Sequence, residues 1–206
     1  GIELEFVDGS VAMAERLSVD YRAFAFMAGG FDVSRVLVEN ASLRMSASAA
    51  ADDGEAVEVK FDDARFLLEG LRPGNVARLA LTARAGVERG ADLAVSNADV
   101  NVSANLQLQR RPRLYLARLD MKTTIDSVSG HAAGNPLDGM TAEIVADVQG
   151  DSPDLLALKL FTAKVMDDGV ELLHIGAAGE VDVRRKNMAV DYKITGPDHH
   201  LLNMFG

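Results

Sequence analysis

The stretch Val100-Asn101-Val102-Ser103-Ala104-Asn105-Leu106-Gln107-Leu108 decides the fold. Apolar side chains alternate with amides and hydroxyls along its whole length. A period of two is the signature of a strand that turns one face to apolar neighbours and the other to water. The pattern recurs at Ile2, Leu4 and Phe6, at Val57, Val59 and Phe61, and at Leu79, Leu81, Ala83, Ala85 and Val87. It returns at Leu114 and Leu116, then Leu119 and Met121, and closes with Ala142, Ile144, Ala146, Val148 and with Met188, Val190, Tyr192, Ile194. Alternation repeated this often calls for an antiparallel sheet with one wet face.

Gly and Asp clusters punctuate the runs. Ala51-Asp52-Asp53-Gly54, Arg72-Pro73-Gly74-Asn75, Arg89-Gly90, Gly134-Asn135-Pro136, Asp167-Asp168-Gly169 and Gly196-Pro197-Asp198 read as turns. Asp168-Gly169 between two apolar runs is a hairpin signal. Three segments are open to a helical reading. Met13, Leu17, Tyr21, Phe24 and Ala28 fit a helical stripe within 10–28, while Leu17, Val19 and Tyr21 fit a strand. Ser152-Pro153-Asp154 resembles a helix start, but Leu156, Leu158 and Leu160 alternate, so strand is favoured over 153–166. Residues 198–205 suit a short terminal helix capped by Asp198.

A weak internal repeat joins three of the runs. Val38-Glu39-Asn40-Ala41-Ser42-Leu43, Phe61-Asp62-Asp63-Ala64-Arg65-Phe66 and Val95-Ser96-Asn97-Ala98-Asp99-Val100 each alternate, slip by one position at an Asn-Ala or Asp-Ala step, and resume. A slip of one residue flips every following side chain unless the backbone absorbs it. A β-bulge absorbs it and adds bend and twist; a tight turn would also serve, but Asn-Ala and Asp-Ala are poor pairs for one. The expectation is therefore a mainly β fold of long, twisted antiparallel strands in a curled sheet, trough or half-barrel, with at most a few short helices. With no Ser/Pro-rich linker or composition shift, residues 1–206 read as one β-rich domain.

Composition narrows the function. A net charge of −10 argues against a nucleic-acid partner, which needs a concentrated basic face. Arg110-Arg111-Pro112-Arg113 and Arg184-Arg185-Lys186 read as solvated turns. The chain lacks cysteine and any apolar run long enough for a transmembrane helix. No P-loop, dinucleotide fingerprint, HExxH or GxSxG motif is present. Ser129-Gly130-His131 sets a hydroxyl near an imidazole, but extended chain is expected to point these side chains apart. His199-His200 cannot both face one ion, and His174 stands alone. The acidic pairs Asp52-Asp53, Asp62-Asp63 and Asp167-Asp168 lack the ligand spacing of a calcium loop. Asn97, Asp99 and Asn101 share the expected solvent face. The reading is of a non-enzyme without cofactor or metal.

Met13, Met27, Met45, Met121 and Met188 are among eight methionines, side chains that suit either a core or a surface accommodating variable apolar ligands. The segments Phe31-Asp32-Val33-Ser34-Arg35-Val36-Leu37-Val38-Glu39-Asn40-Ala41, Asp168-Gly169-Val170-Glu171-Leu172-Leu173 and Gly176-Ala177-Ala178-Gly179-Glu180-Val181-Asp182-Val183 resemble proteobacterial envelope proteins of the AsmA-like kind and related uncharacterised periplasmic families. That resemblance implies amphipathic strands curled into a trough, a periplasmic setting, an N-terminal signal or inner-membrane anchor preceding Gly1, and involvement in lipid transport. The expected function is binding or passage of a lipid or acyl chain along a concave face lined by Val59, Phe61, Phe66, Leu68, Leu79 and Leu81. The alternative is a structural scaffold for envelope protein partners with no small-molecule ligand. Neither reading involves metal, so EDTA, calcium or zinc should leave the melting temperature unchanged; a shift of several degrees with any of them would contradict both.

Overall fold

The computed structural model describes residues 1–5, 10–23, 32–47, 56–90, 92–110 and 113–196. Its elements are strands: β1 (Ile2–Glu5), β2 (Val11–Tyr21), β3 (Val33–Ala47), β4 (Val57–Leu71), β5 (Val76–Arg89), β6 (Leu93–Gln109), β7 (Tyr115–Ala132), β8 (Asn135–Pro136), β9 (Met140–Ser152), β10 (Leu155–Asp167), β11 (Val170–Asp182) and β12 (Asn187–Thr195). They form one antiparallel sheet in chain order from β1 to β12, with the two-residue β8 turning back onto the end of β7. The sheet is open and curled.

The alternation explains why these residues take this form, and the turns at 72–75 and 167–169 work as read, whereas at Gly134-Asn135-Pro136 the turn falls on Ala133 and Gly134 and Asn135–Pro136 is strand. Pro73 and Gly74 occupy the two central positions of a turn closed by the Asn75 amide donating to the Arg72 carbonyl, with Gly74 at φ 86°. That is the geometry of a type II turn, where Pro presets the first φ and Gly accepts the positive second one. Asp168 and Gly169 have φ of 47° and 80°, so the β10–β11 hairpin closes through a type I′ turn whose twist matches its strands. Ser152–Leu155 is a hairpin end, confirming strand over helix there. Residues 11–21 are likewise strand, so the helical stripe is corrected over that span. Phe24 and Ala28, the turns at 51–54 and 197–198, and the helix expected over 198–205 lie outside the described residues.

The slips in the repeat are β-bulges. Asn40 and Asp63 both have φ of 51°, a left-handed conformation that Asn and Asp tolerate better than other side chains. Between Val38 and Ala41, β3 carries two residues where β4 carries one; between Ala41 and Leu43 the excess passes to β4, and the register is restored. Asp63 and Ala64 then face Ala83 alone on β5. Farther across, Ser96 and Asn97 of β6 oppose Gly86, and Ser127 (φ 55°) and Val128 of β7 oppose Ala98. A line of bulges thus crosses the sheet from β3 to β7.

Glycines fold the sheet further. A Cβ on Gly179 would collide with the Ala189 carbonyl and lie 2.6 Å from Val190 Cα, both on β12. Gly179 stands in register between Leu158 and Val190, so β12 leans over the face that these side chains occupy. Gly150 shows the same crowding against the Leu116 carbonyl of β7. Bulges and glycine kinks together curve a sheet that pleating alone would leave flat.

Little of this structure is closed core. Most of its buried apolar residues are alanines, among them Ala77, Ala83, Ala98, Ala104 and Ala146; Leu37 and Leu137 are the large ones. The accessible surface is 13377 Å², whereas a compact monomer of this mass exposes about 9,300 Å². One sheet layer, with half-buried side chains on both faces, contributes to that excess.

The glycine positions give a matched test. Replacing Gly179→Ala should cost about 1–3 kcal/mol by overpacking. Gly176→Ala, on the same strand with open space around its Cβ, should be neutral or stabilise by up to ~1 kcal/mol. Equal losses in urea denaturation would contradict the account of curvature.

Candidate apolar-ligand face

Paired residues of an antiparallel sheet share a face, so the register sorts every side chain. Val59 stands between Met45 and Val87, Phe61 between Leu43 and Ala85, Phe66 between Val38 and Leu81, and Leu68 between Val36 and Leu79. All six residues proposed from the sequence therefore fall on one face. They form a patch on β4 and β5, and the bulge at Asp63 keeps Phe61 and Phe66 on the same side although five positions separate them.

This face extends well beyond the six. One cross-strand row runs Leu17, Val38, Phe66, Leu81 and Val102, continuing through Thr123, Ile144, Ala163, Ile175 and Ile194. Ten strands contribute, and a single threonine interrupts the row. A second row beside it includes Leu68, Leu79, Met121, Phe161 and Tyr192. The central members are half-buried; Leu17 and Ile194, at the ends, are about half exposed. Met45, Met121 and Met188 belong to this face and Met13 to the other, while Met27 lies outside the described residues.

The opposite face is its chemical inverse. Arg65, Thr82, Asn101, Thr124, Glu143, Lys164, His174 and Thr195 form an unbroken polar row. Lys122 pairs with Glu143 at 2.5 Å, Lys164 with Glu171 at 3.5 Å, and His174 Nδ1 lies 3.5 Å from Glu171. Asn97, Asp99 and Asn101 lie here, as their spacing implied. Arg118 donates two hydrogen bonds to Asp120, at 2.9 and 3.1 Å, which raises its already high pKa.

This polar face also holds a shallow hollow of about 600 Å³. Leu67, Ala80, Val145 and Leu160 give it apolar walls, and Glu69, Arg78, Asp120, Lys122 and Asp147 surround them. The sequence reading missed these apolar residues on the wet side. The signal was present in runs such as Val36-Leu37-Val38, Phe66-Leu67-Leu68 and Ile144-Val145-Ala146, where both faces of the strand are apolar at once.

The remaining sequence candidates are dispersed. Ser129 and His131 are two positions apart, the spacing that puts strand residues on the same side, so the expectation that they diverge is corrected. The Ser129 hydroxyl lies 3.1 Å from Ser96 Oγ, where either can donate. Asp62 and Asp63 sit at the β4 bulge, with Asp63 paired to Arg84 at 3.0 Å. Arg184, Arg185 and Lys186 form the β11–β12 turn, where the Arg185 amide donates to Asp182. Among the described residues, no cluster of His, Asp or Glu has a metal-binding arrangement. His199, His200, Asp52, Asp53, Arg111 and Pro112 lie outside them. No helix there is long and apolar enough to cross a membrane.

No protein-family model, no curated protein and no solved structure matches the chain.

The polar face gives a pH prediction. The hydrogen bond from Lys122, then its charge, holds the Glu143 carboxyl below the usual carboxylate range. A depressed folded pKa contributes stability above the unfolded carboxylate pKa, and that contribution is lost as pH falls through the folded value. The residue is solvent-accessible, so the effect is small. Glu143→Gln should lower the melting temperature slightly at pH 7, with the difference vanishing once the parent carboxylate is protonated. A deficit that persists unchanged into strong acid would show that the pair contributes nothing.

Proposed function

We propose that the apolar face binds or passes lipid acyl chains, or a ligand of like character, in an envelope protein anchored at the inner membrane and facing the periplasm. The observation that carries the ligand class is the ten-strand apolar row from Leu17 to Ile194, backed by a polar row on the reverse of the same strands. Removing apolar area from water is worth about 25 cal/mol per Å². A half-buried face of this extent therefore favours any apolar molecule that covers it. An acyl chain needs no matched hydrogen-bond partner, which suits a surface offering almost none. The cellular setting rests on the AsmA-like texture of the sequence.

Folding toward the apolar side at Gly150 and Gly179 supports the same reading, because it partly shelters the strip while leaving the sheet open at both edges. The competing reading is a scaffold whose apolar face is covered by a protein partner. The two differ in what purified protein retains.

Organic extraction followed by mass spectrometry should release lipid at a substantial fraction of a mole per mole. Substituting Phe66→Gln and Leu81→Gln together should cut that retention severalfold. Arg65→Gln with Thr82→Gln, at the neighbouring positions on the polar face, should leave it unchanged. Lipid-free protein that also fails to take up a fluorescent fatty acid would sink the lipid reading and favour the scaffold.

A further inference from the structure

We propose that the outer edge of β12 pairs with β12 of a second copy of this chain, antiparallel and centred on Tyr192. Among the described residues, β12 is bonded only to β11, so its outer row of backbone donors and acceptors is open. Natural edges are commonly blunted by proline, charged side chains, a bulge or covering structure. Over Asn187–Thr195 there is no proline and no bulge, no described residue covers the edge, and only the charges of Asp191 and Lys193 stand on it; the strand is in unbroken register with β11. Its apolar side chains are prominent: Tyr192 is 74% exposed and Met188 68%.

The inner neighbours make the strand's needs specific. Asp191 stands opposite Ala178, Lys193 opposite Gly176 and Tyr192 opposite Ala177. β11 thus offers these three side chains nothing polar, and neither Asp191 nor Lys193 forms an ion pair among the described residues. Both charges are thus open to a partner from outside the sheet.

A second β12 supplies that partner. When two identical strands pair about a twofold axis through Tyr192, Asp191 of each meets Lys193 of the other. Val190 meets Ile194, Ala189 meets Thr195, and the two Tyr192 rings stand side by side. Apolar residues face apolar ones, and opposite charges directly across a strand pair are favourable. Centring on Asp191 or Lys193 instead sets like charges against each other, and centring on Val190 leaves both charges unmatched. Of these registers, one therefore matches both charges with their opposites, and its twofold symmetry closes the assembly as a dimer. The apolar rows of the two sheets then run on into one another across the junction.

The test is sedimentation of the 206-residue chain without added lipid, over a range of concentrations. The parent should shift to twice its monomer mass. Asp191→Lys and Lys193→Asp, each of which sets like charges opposite each other twice in the proposed register, should each sediment as a monomer. The double exchange restores the opposite pairing and should recover the dimer. Both residues lie on an exposed strand against Ala and Gly, and unchanged circular dichroism would show each variant folded. A parent that stays monomeric throughout overturns the proposal. So does a dimer indifferent to the single exchanges, which would be assembled through another edge or the apolar face. Lipid retention plays no part in this readout, so the outcome is independent of the lipid reading.

Discussion

Everything in this sheet depends on keeping side chains on the correct face across many hydrogen-bonded neighbours. A strand alternates with a period of two, so one unmatched residue anywhere would turn the rest of that strand inside out. The structure meets this constraint by placing its irregularities opposite one another. The extra residue of β3 at Asn40 is balanced by that of β4 at Asp63, and β2 adopts the same slip without losing register, passing from Ala12 and Ala14 to Leu17 and Val19. Asn40 Nδ2 donates to Glu15 Oε2 at 2.7 Å across that step. The bulges are therefore shared features of neighbouring strands, and they bend the sheet without mixing its two surfaces.

Much of this was legible in the chain. The alternation around Val100–Leu108 identified the strand type, and the Asn-Ala and Asp-Ala steps located two of the left-handed bulge residues. What misled was the same device seen from β2. Met13, Leu17 and Tyr21 are spaced by four, which suggests a helix. In the sheet the slip near Glu15 and Arg16 sends Leu17 to the apolar face while Met13 stays on the other. A bulge converts period two into a locally helical count, and a single sequence offers no way to separate the two. The lining residues on β4 and β5 were legible because their alternation is clean. Leu37, Leu67 and Val145 were hidden in apolar runs, since periodicity disappears where both faces are apolar.

The two surfaces divide the physical work. The polar one carries ion pairs such as Lys122–Glu143 and Arg118–Asp120, solvated and individually weak. Its small apolar hollow is bounded by these charges. The other surface has almost no polar atoms apart from its backbone. Its side chains rest on one another within a single layer, so they are stabilised by neighbours on adjacent strands more than by any opposing wall. Such a surface holds its shape through the hydrogen-bond ladder beneath it. It can therefore stay ordered while one side remains available.

The strand order has a consequence for how such a protein changes over evolutionary time. Each long strand pairs with the next long strand in the chain, so contacts are made between segments close in sequence. Duplicating or deleting a hairpin would lengthen or shorten the sheet without rethreading the remainder, much as in a linear repeat protein. Eleven strands at about 4.8 Å spacing make a sheet about 48 Å wide. Width is thus a heritable quantity that can be adjusted in steps of one hairpin, about 10 Å at a time, while the chemistry of each face is carried over unchanged.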